Sequence, residues 1–232
     1  MKINKDGSLI KYLRYALGEV LLVVIGILIA VSLNNWNKNR VKEKSFKGVV
    51  KNLVDDIKND TALAGKYIRY YSENEKFFKK VMADSVTREM YLDEKSSYGS
   101  LITSIQPLAL NTRGYELLKK SEDFGDEESS KFIVKVTQLF NRHLETFKLT
   151  NELLRTDVEN TFMDWKNTKP WFSQMMVDGS ADEFLDYMLN DPMYRNKVVY
   201  NYILVYGNYL VQLKQYKSDM KELLKESEKF VD

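Results

Sequence analysis

The chain has 232 residues, 44% apolar and 29% charged, with 3 prolines, 10 glycines, one histidine and no cysteine. This excludes collagen-like, Pro/Gly-rich and wholly disordered classes. It also excludes disulfide scaffolds, thiolate or multi-histidine metal sites, iron–sulfur clusters and cysteine nucleophiles. With 35 basic and 33 acidic side chains the net charge is +2, so no general attraction to nucleic acid follows and no nucleic-acid partner is expected.

The first feature in chain order is the run Tyr15 to Leu33, YALGEVLLVVIGILIAVSL. Its uncharged centre, Val20 to Val31, is 12 residues, and the whole run is 19 residues. As a helix that is about 28 Å, close to a hydrocarbon core of about 30 Å. Tyr15 at the near end and Trp36 beyond the far end are placed as interfacial aromatic anchors. The partner expected for this stretch is therefore a lipid bilayer. Two other readings compete. Ala30 and Ser32 are spaced for signal-peptide cleavage, although Glu19 interrupts the approach and no proline precedes the site. A short apolar centre also fits a buried helix of a soluble protein. Length and flanks favour the anchor, dividing the chain into a short segment 1–14, a transmembrane helix 15–35 and a helical domain 36–232.

Lysines and arginines are plentiful on both sides of the span, so the positive-inside rule does not fix its orientation. The working expectation is a single-pass membrane protein with the helical domain on the non-cytoplasmic side. The basic run Lys38 to Lys47 would meet anionic headgroups if it lay on the cytoplasmic side. Within the span, Glu19, Val23, Gly26, Ala30 and Asn34 recur at three- or four-residue steps and share one face. Gly26 and Ala30 form a small-xxx-small pair, which lets two helices approach closely. This face is a candidate association seam; the alternative is that Glu19 sits at headgroup level and the small residues are incidental.

Beyond Trp36 the pattern is helical almost throughout. An apolar stripe from Phe46 through Leu53, Ile57, Ala64, Tyr71 and Phe78 to Met82 predicts a helix over roughly Asn37 to Asp84. No proline separates it from the span, so the two can run on as one helix and project from the membrane. Residues 85–100 read as a loop or short elements. A short helix fits Asn111 to Ser121 with Asn111 as its cap, followed by a turn at Glu122 to Asp126. A second long helix, from near Glu127 to before Lys169-Pro170, carries a stripe from Phe132 to Trp165. Residues 167–179 read as a loop holding Trp171, Phe172, Met175 and Met176. Ser180-Ala181-Asp182-Glu183 reads as a capping box, and Asp191-Pro192 as the cap and first residue of the last helix. Its stripe is Val199, Tyr202, Ile203, Tyr206, Tyr209, Leu210, Leu213, Tyr216, Met220, Leu223 and Phe230. The expected fold is all-α: a transmembrane helix followed by an elongated antiparallel bundle of about three long and two short helices.

Chemical motifs are mostly missing. Phe140 stands where a di-metal bundle site would need an acidic residue three positions before His143, so a core or rim histidine is expected. Asp55, Asp56 and Asp60 read as a solvated face. The tyrosines of the last helix read as core rings whose hydroxyls reach the rim, with a ligand groove as the competing reading. No cofactor, metal or catalytic residue is expected.

The runs Lys11-Tyr12-Leu13-Arg14-Tyr15-Ala16-Leu17-Gly18-Glu19, Leu22-Val23-Val24-Ile25-Gly26-Ile27-Leu28-Ile29-Ala30 and Asn34-Asn35-Trp36-Asn37 resemble one family. It is the group of uncharacterised Bacteroidota membrane proteins known as domain of unknown function 6090. Asn111-Thr112-Arg113-Gly114-Tyr115-Glu116-Leu117-Leu118-Lys119-Lys120-Ser121 and Leu189-Asn190-Asp191-Pro192-Met193-Tyr194-Arg195-Asn196 look like further family segments. The first departs from the family pattern, because Glu122 follows Ser121 in place of a glycine. The resemblance implies a single-pass anchor with a helical domain, and the family has no assigned activity to carry over. The function expected is a non-enzymatic, membrane-anchored scaffold or adaptor acting through protein–protein binding, as a homo-oligomer or within a larger envelope complex. The alternative is an anchored sensor that binds a small molecule or peptide and signals through a partner.

Overall fold

The computed structural model describes residues 6–120, 126–179 and 181–231, with side chains from Leu13 onward. All regular structure among these residues is helical: α1 Asp6–Met82, α2 Arg88–Asp93, α3 Lys95–Gly99, α4 Arg113–Lys119, α5 Glu127–Thr168, α6 Phe172–Asp178, α7 Asp182–Asn190, α8 Pro192–Tyr202, a π-helical segment Ile203–Tyr209, and α9 Leu210–Val231. The chain divides into two compact units, residues 1–48 and 49–232. The described part of the first unit is the early part of α1, and the apolar run and the helix after it are one element, as its proline-free sequence predicts.

In the second unit the rest of α1, α5 and α8–α9 are the long pieces. Pairings show their directions. Lys229 meets Glu128, Lys135 meets Glu222, Thr150 meets Gln212 and Lys197 meets Asp164, so α8–α9 runs antiparallel to α5. Asp60 meets Tyr216, Tyr71 meets Tyr209 and Phe78 meets Tyr202, so it is antiparallel to α1 as well. Residues 49–82 and α5 therefore run the same way. The chain returns between them along residues 104–112, a strap without regular structure.

Helix ends follow their local chemistry. Past α1, Asp84 takes a left-handed φ of 55° while the Ser85 N–H donates back to the Lys80 carbonyl at 3.1 Å. Asp126 caps α5 by accepting from the Ser129 N–H at 2.7 Å. Asp191 caps α8 by accepting from the Met193 N–H at 2.8 Å, with Pro192 at the first helical position as expected. Ser180, the first residue of the predicted capping box, lies outside the described residues; the cap position of α7 is Ala181, which offers no side-chain acceptor. The turn read at 122–125 lies outside the described residues as well.

Of the two readings open for residues 85–100, the structure takes short elements, and it adds one short helix that the sequence reading did not contain. Residues 88–93 and 95–99 form α2 and α3, and residues 172–178, read as a loop, form α6, closed by Gly179 at φ 68°. Each spans about two turns or fewer, too short for a 3.6-residue period to show. Trp171, placed just before α6, is buried with Trp165, Phe184 and Tyr187 in an aromatic core that also takes Phe77, Phe78, Tyr91 and Tyr98.

The last helix corrects the predicted stripe. Val199 and Ile203 are exposed, whereas Val198, Asn201, Leu204 and Val205 are buried. The π segment is the cause. Asn201, Val205, Tyr209 and Leu213 are all buried. Three consecutive four-residue steps would drift by about 120° around a regular α-helix. The wider i→i+5 turns absorb that drift and keep one face on the core. Of the predicted stripe, Tyr202 and Tyr206 are half-buried against the core, and Tyr209, Leu210, Leu213, Tyr216, Met220 and Leu223 are buried, so only Val199 and Ile203 fall off its face.

Burial holds the hydroxyls of Tyr71, Tyr194, Tyr206, Tyr209 and Tyr216 above the ordinary tyrosine range. The folded chain keeps these protons where the unfolded chain loses them, above about pH 10. Stability therefore falls as pH rises beyond that point. In an alkaline titration, the tyrosinate absorbance of these five should appear together with loss of helical circular dichroism. Full tyrosine ionisation of a chain that stays helical would contradict this burial.

Candidate functional site

The apolar part of α1 is the first functional surface. Among the described residues there is one helix long and apolar enough to cross a membrane, and none of its most apolar stretch is buried. Glu19, Val23, Gly26, Ala30 and Asn34 lie exposed along it, and a Cβ built at Gly26 would meet nothing within 4 Å. Tyr15 is 85% and Trp36 61% exposed, so both are available to an interface. The Arg40 guanidinium lies 5.7 Å from the Trp36 ring centroid, one turn further along the helix. The basic side chains from Lys38 to Lys47 are exposed.

The second feature overturns a sequence reading. Asp60 is buried, not solvated; only Asp55 of the three is fully exposed. Asp60 accepts from the Asn111 N–H at 2.8 Å, from the Asn111 side-chain amide, and from the Tyr216 hydroxyl at 3.4 Å. Asp56, one turn earlier, accepts from the Gly114 N–H at 2.7 Å. Burial raises the Asp60 carboxyl above its usual range, and the Asn111 donors offset part of that rise. Asn111 thus spends both its groups on α1 and does not cap α4, whose cap position is Thr112 without a side-chain bond. Gly114 is required by space: a Cβ there would sit 2.4 Å from the backbone N and Cα of Leu53.

Tyrosine hydroxyls complete the strap. Tyr209 donates to the Gln106 carbonyl and accepts from the Leu108 N–H, both at 2.7 Å. Tyr71 accepts from the Gln106 N–H at 2.8 Å, and Tyr206 donates to the Tyr71 carbonyl at 2.9 Å. The Tyr71 and Tyr209 hydroxyls point across the core, where the strap's backbone groups need partners, whereas Tyr202 reaches the rim as predicted and donates to Glu75 at 2.9 Å. Tyr200, by contrast, is exposed.

His143 is a buried histidine with a partner, its Nε2 2.8 Å from Asp219, which also receives Arg142. Burial depresses its pKa, and Asp219 opposes the shift. Among the described residues no three acidic or histidine side chains gather to hold a metal ion.

The sequence reading missed a cavity of about 300 Å³ lined by Tyr70, Tyr71, Asn74 and Phe78 of α1, Ser96 and Ser97 of α3, Ser100, Leu101, Ser104, and Asn201 of α8. The serines at 96, 97, 100 and 104 fall where the chain shows no apolar period. For residues 85–100 that pattern gives a loop or short elements and no cavity. The recurrence of these serines near one helical turn was the available signal.

These features define an all-α protein with one candidate span among the described residues and a helical domain whose crossing strap is held by buried polar groups. It belongs to a family of unknown function (DUF6090), whose sequence pattern matches residues 19–159, more than half of the chain. The match takes in the span from Glu19 and the strap motif around Gly114; the segment at residues 189–196 lies outside it. No curated protein and no solved structure matches the chain.

Asp60→Ala should destabilise the helical domain by about 2–4 kcal/mol, because buried donors of Asn111 and Tyr216 lose their acceptor. Gly114→Ala should cost about 1–3 kcal/mol through backbone crowding against Leu53. Asp55→Ala should stay within about 0.5 kcal/mol. Denaturant unfolding followed by circular dichroism checks all three, and equal effects at positions 55 and 60 would refute the buried role of Asp60.

Proposed function

We propose that this protein is a non-enzymatic, membrane-anchored helical tether that works by binding other proteins, beginning with a second copy of itself. The observation that carries the reading is the wholly uncovered apolar stretch of α1, which nothing in the described chain packs against. Such a surface needs lipid or another span around it. On the seam face, Gly26 and Ala30 permit close approach of two helices, and Glu19 gains a partner it would not find in lipid. The buried ionisable groups of the helical domain support this reading, since Asp60 and His143 are committed to internal partners. The membrane in this reading is the bacterial inner membrane, with the helical domain on the periplasmic side.

Two measurements test it. The protein should remain in the membrane pellet after alkaline carbonate extraction and keep its residues before Ser32; release, or cleavage near that residue, would refute the anchor. In mild detergent its mass should be that of a defined oligomer, which Gly26→Leu or Ala30→Leu converts to monomer. A wild-type monomer would refute the seam. The side of the membrane is read separately. The chain has no cysteine, so Ser173→Cys, at an exposed position on α6, supplies a single thiol. An impermeant maleimide that reaches the periplasm but not the cytoplasm should label it in intact cells; labelling only after lysis would place the domain in the cytoplasm.

A further inference from the structure

The cavity between α1, α3 and α8 goes beyond the tethering reading and stands or falls apart from it. Its wall is unusual in a chain so rich in charge: among the described residues it is four serines, two asparagines and two tyrosines, with Phe78 and Leu101, and no lysine, arginine, aspartate or glutamate. Burial keeps the Tyr71 hydroxyl neutral. Asp157, which is not among the lining residues, accepts from the Asn201 side-chain amide at 2.8 Å. A charged ligand would enter this cavity without a counter-charge and lose its hydration, which is costly.

What the wall offers instead is a mixture of neutral donors and acceptors. Tyr70 donates to the Ser104 hydroxyl at 3.0 Å, leaving the Ser104 hydrogen for another acceptor. Ser100 donates to the Ser96 carbonyl at 2.7 Å, leaving its oxygen lone pairs. Asn74 donates its amide to the Tyr70 carbonyl at 2.8 Å, and Asn201 donates to Asp157, so each keeps a carbonyl oxygen as acceptor. Groups that both donate and accept at close spacing match hydroxyls, which do the same. The ring faces of Tyr70, Tyr71 and Phe78 supply apolar surface for carbon–hydrogen edges. The volume lies at the small end of the range for ligand pockets, about 300–1,000 Å³, and suits a molecule of roughly a dozen heavy atoms.

We propose that this cavity is a binding site for a neutral, hydroxyl-rich small molecule of the size and chemistry of a monosaccharide or cyclitol. Full-length protein is purified in a sugar-free amine-oxide detergent. It is titrated with D-glucose, D-galactose, D-mannose and myo-inositol by isothermal calorimetry, up to about 10 mM. At least one probe should bind saturably at one site per chain and raise the melting temperature. Asn74→Leu and Ser97→Leu, each placing an alkyl group in the cavity wall, should weaken that binding at least about tenfold. Circular dichroism should show both variants as helical as the parent. If one variant fails to fold, the other carries the comparison. Absence of saturation by all four probes means that the cavity holds water only and overturns the proposal. So does binding that both folded variants leave unchanged. Because the readout is ligand binding by each chain, neither result depends on oligomeric state or on the side of the membrane.

Discussion

A helical bundle satisfies its backbone within each helix, and a chain that crosses such a bundle without forming a helix must find other partners for every N–H and C=O it buries. Residues 104–112 meet that requirement through Asp60, Tyr71 and Tyr209, with the Asn151 amide donating to the Leu108 carbonyl at 2.9 Å. The rest of the helical domain depends on this arrangement. The strap lets residues 49–82 and α5 run in the same direction, so that α8–α9 can pack antiparallel against both. It also brings α4 close enough to α1 that only glycine fits at position 114. The cost of burying the Asp60 carboxylate is offset by the donors gathered on it, whose alternative is to remain unpaired.

Where the sequence was legible, the reason was length. The 42 residues of α5 repeat their period many times, and both ends carry recognisable chemistry in Asp126 and in Lys169-Pro170. The start of α8 was equally plain from Asp191-Pro192. The 12-residue apolar centre of the span was readable because no polar residue dilutes it. Asp60 was not legible, since an aspartate beside Asp55 and Asp56 on a lysine-rich helix looks the same whether it faces water or a distant asparagine. Val199 and Ile203 were misplaced because periodicity assumes a constant turn, and the π segment breaks that constancy midway. The cavity was hidden for a different reason: its wall is assembled from α1, α3 and α8, and one chain does not announce which helices meet.

Charge is also distributed with a purpose that composition conceals. The ion pairs run along the outside of the antiparallel helices, as in Lys135 with Glu222 and Glu226, Arg142 with Asp219, and Lys197 with Asp164. Exposed pairs of this kind contribute little to stability, and their regular alternation sets register more than strength. Apart from the Asp60 carboxyl, the interior polar bonding described above is made by neutral groups, tyrosine hydroxyls and asparagine amides, which escape the desolvation penalty of a full charge.

The π segment has a consequence for how this chain can change over evolutionary time. A regular core helix cannot gain or lose one residue without rotating everything beyond it by roughly 100°. Between Ile203 and Tyr209 the helix already holds a surplus residue in widened turns. Loss of one residue there would let the segment relax to ordinary α geometry, with α9 still presenting Leu213 and Tyr216 to the core. Single-residue length differences among related chains are therefore best accommodated at this point of the last helix, where the structure has stored the slack.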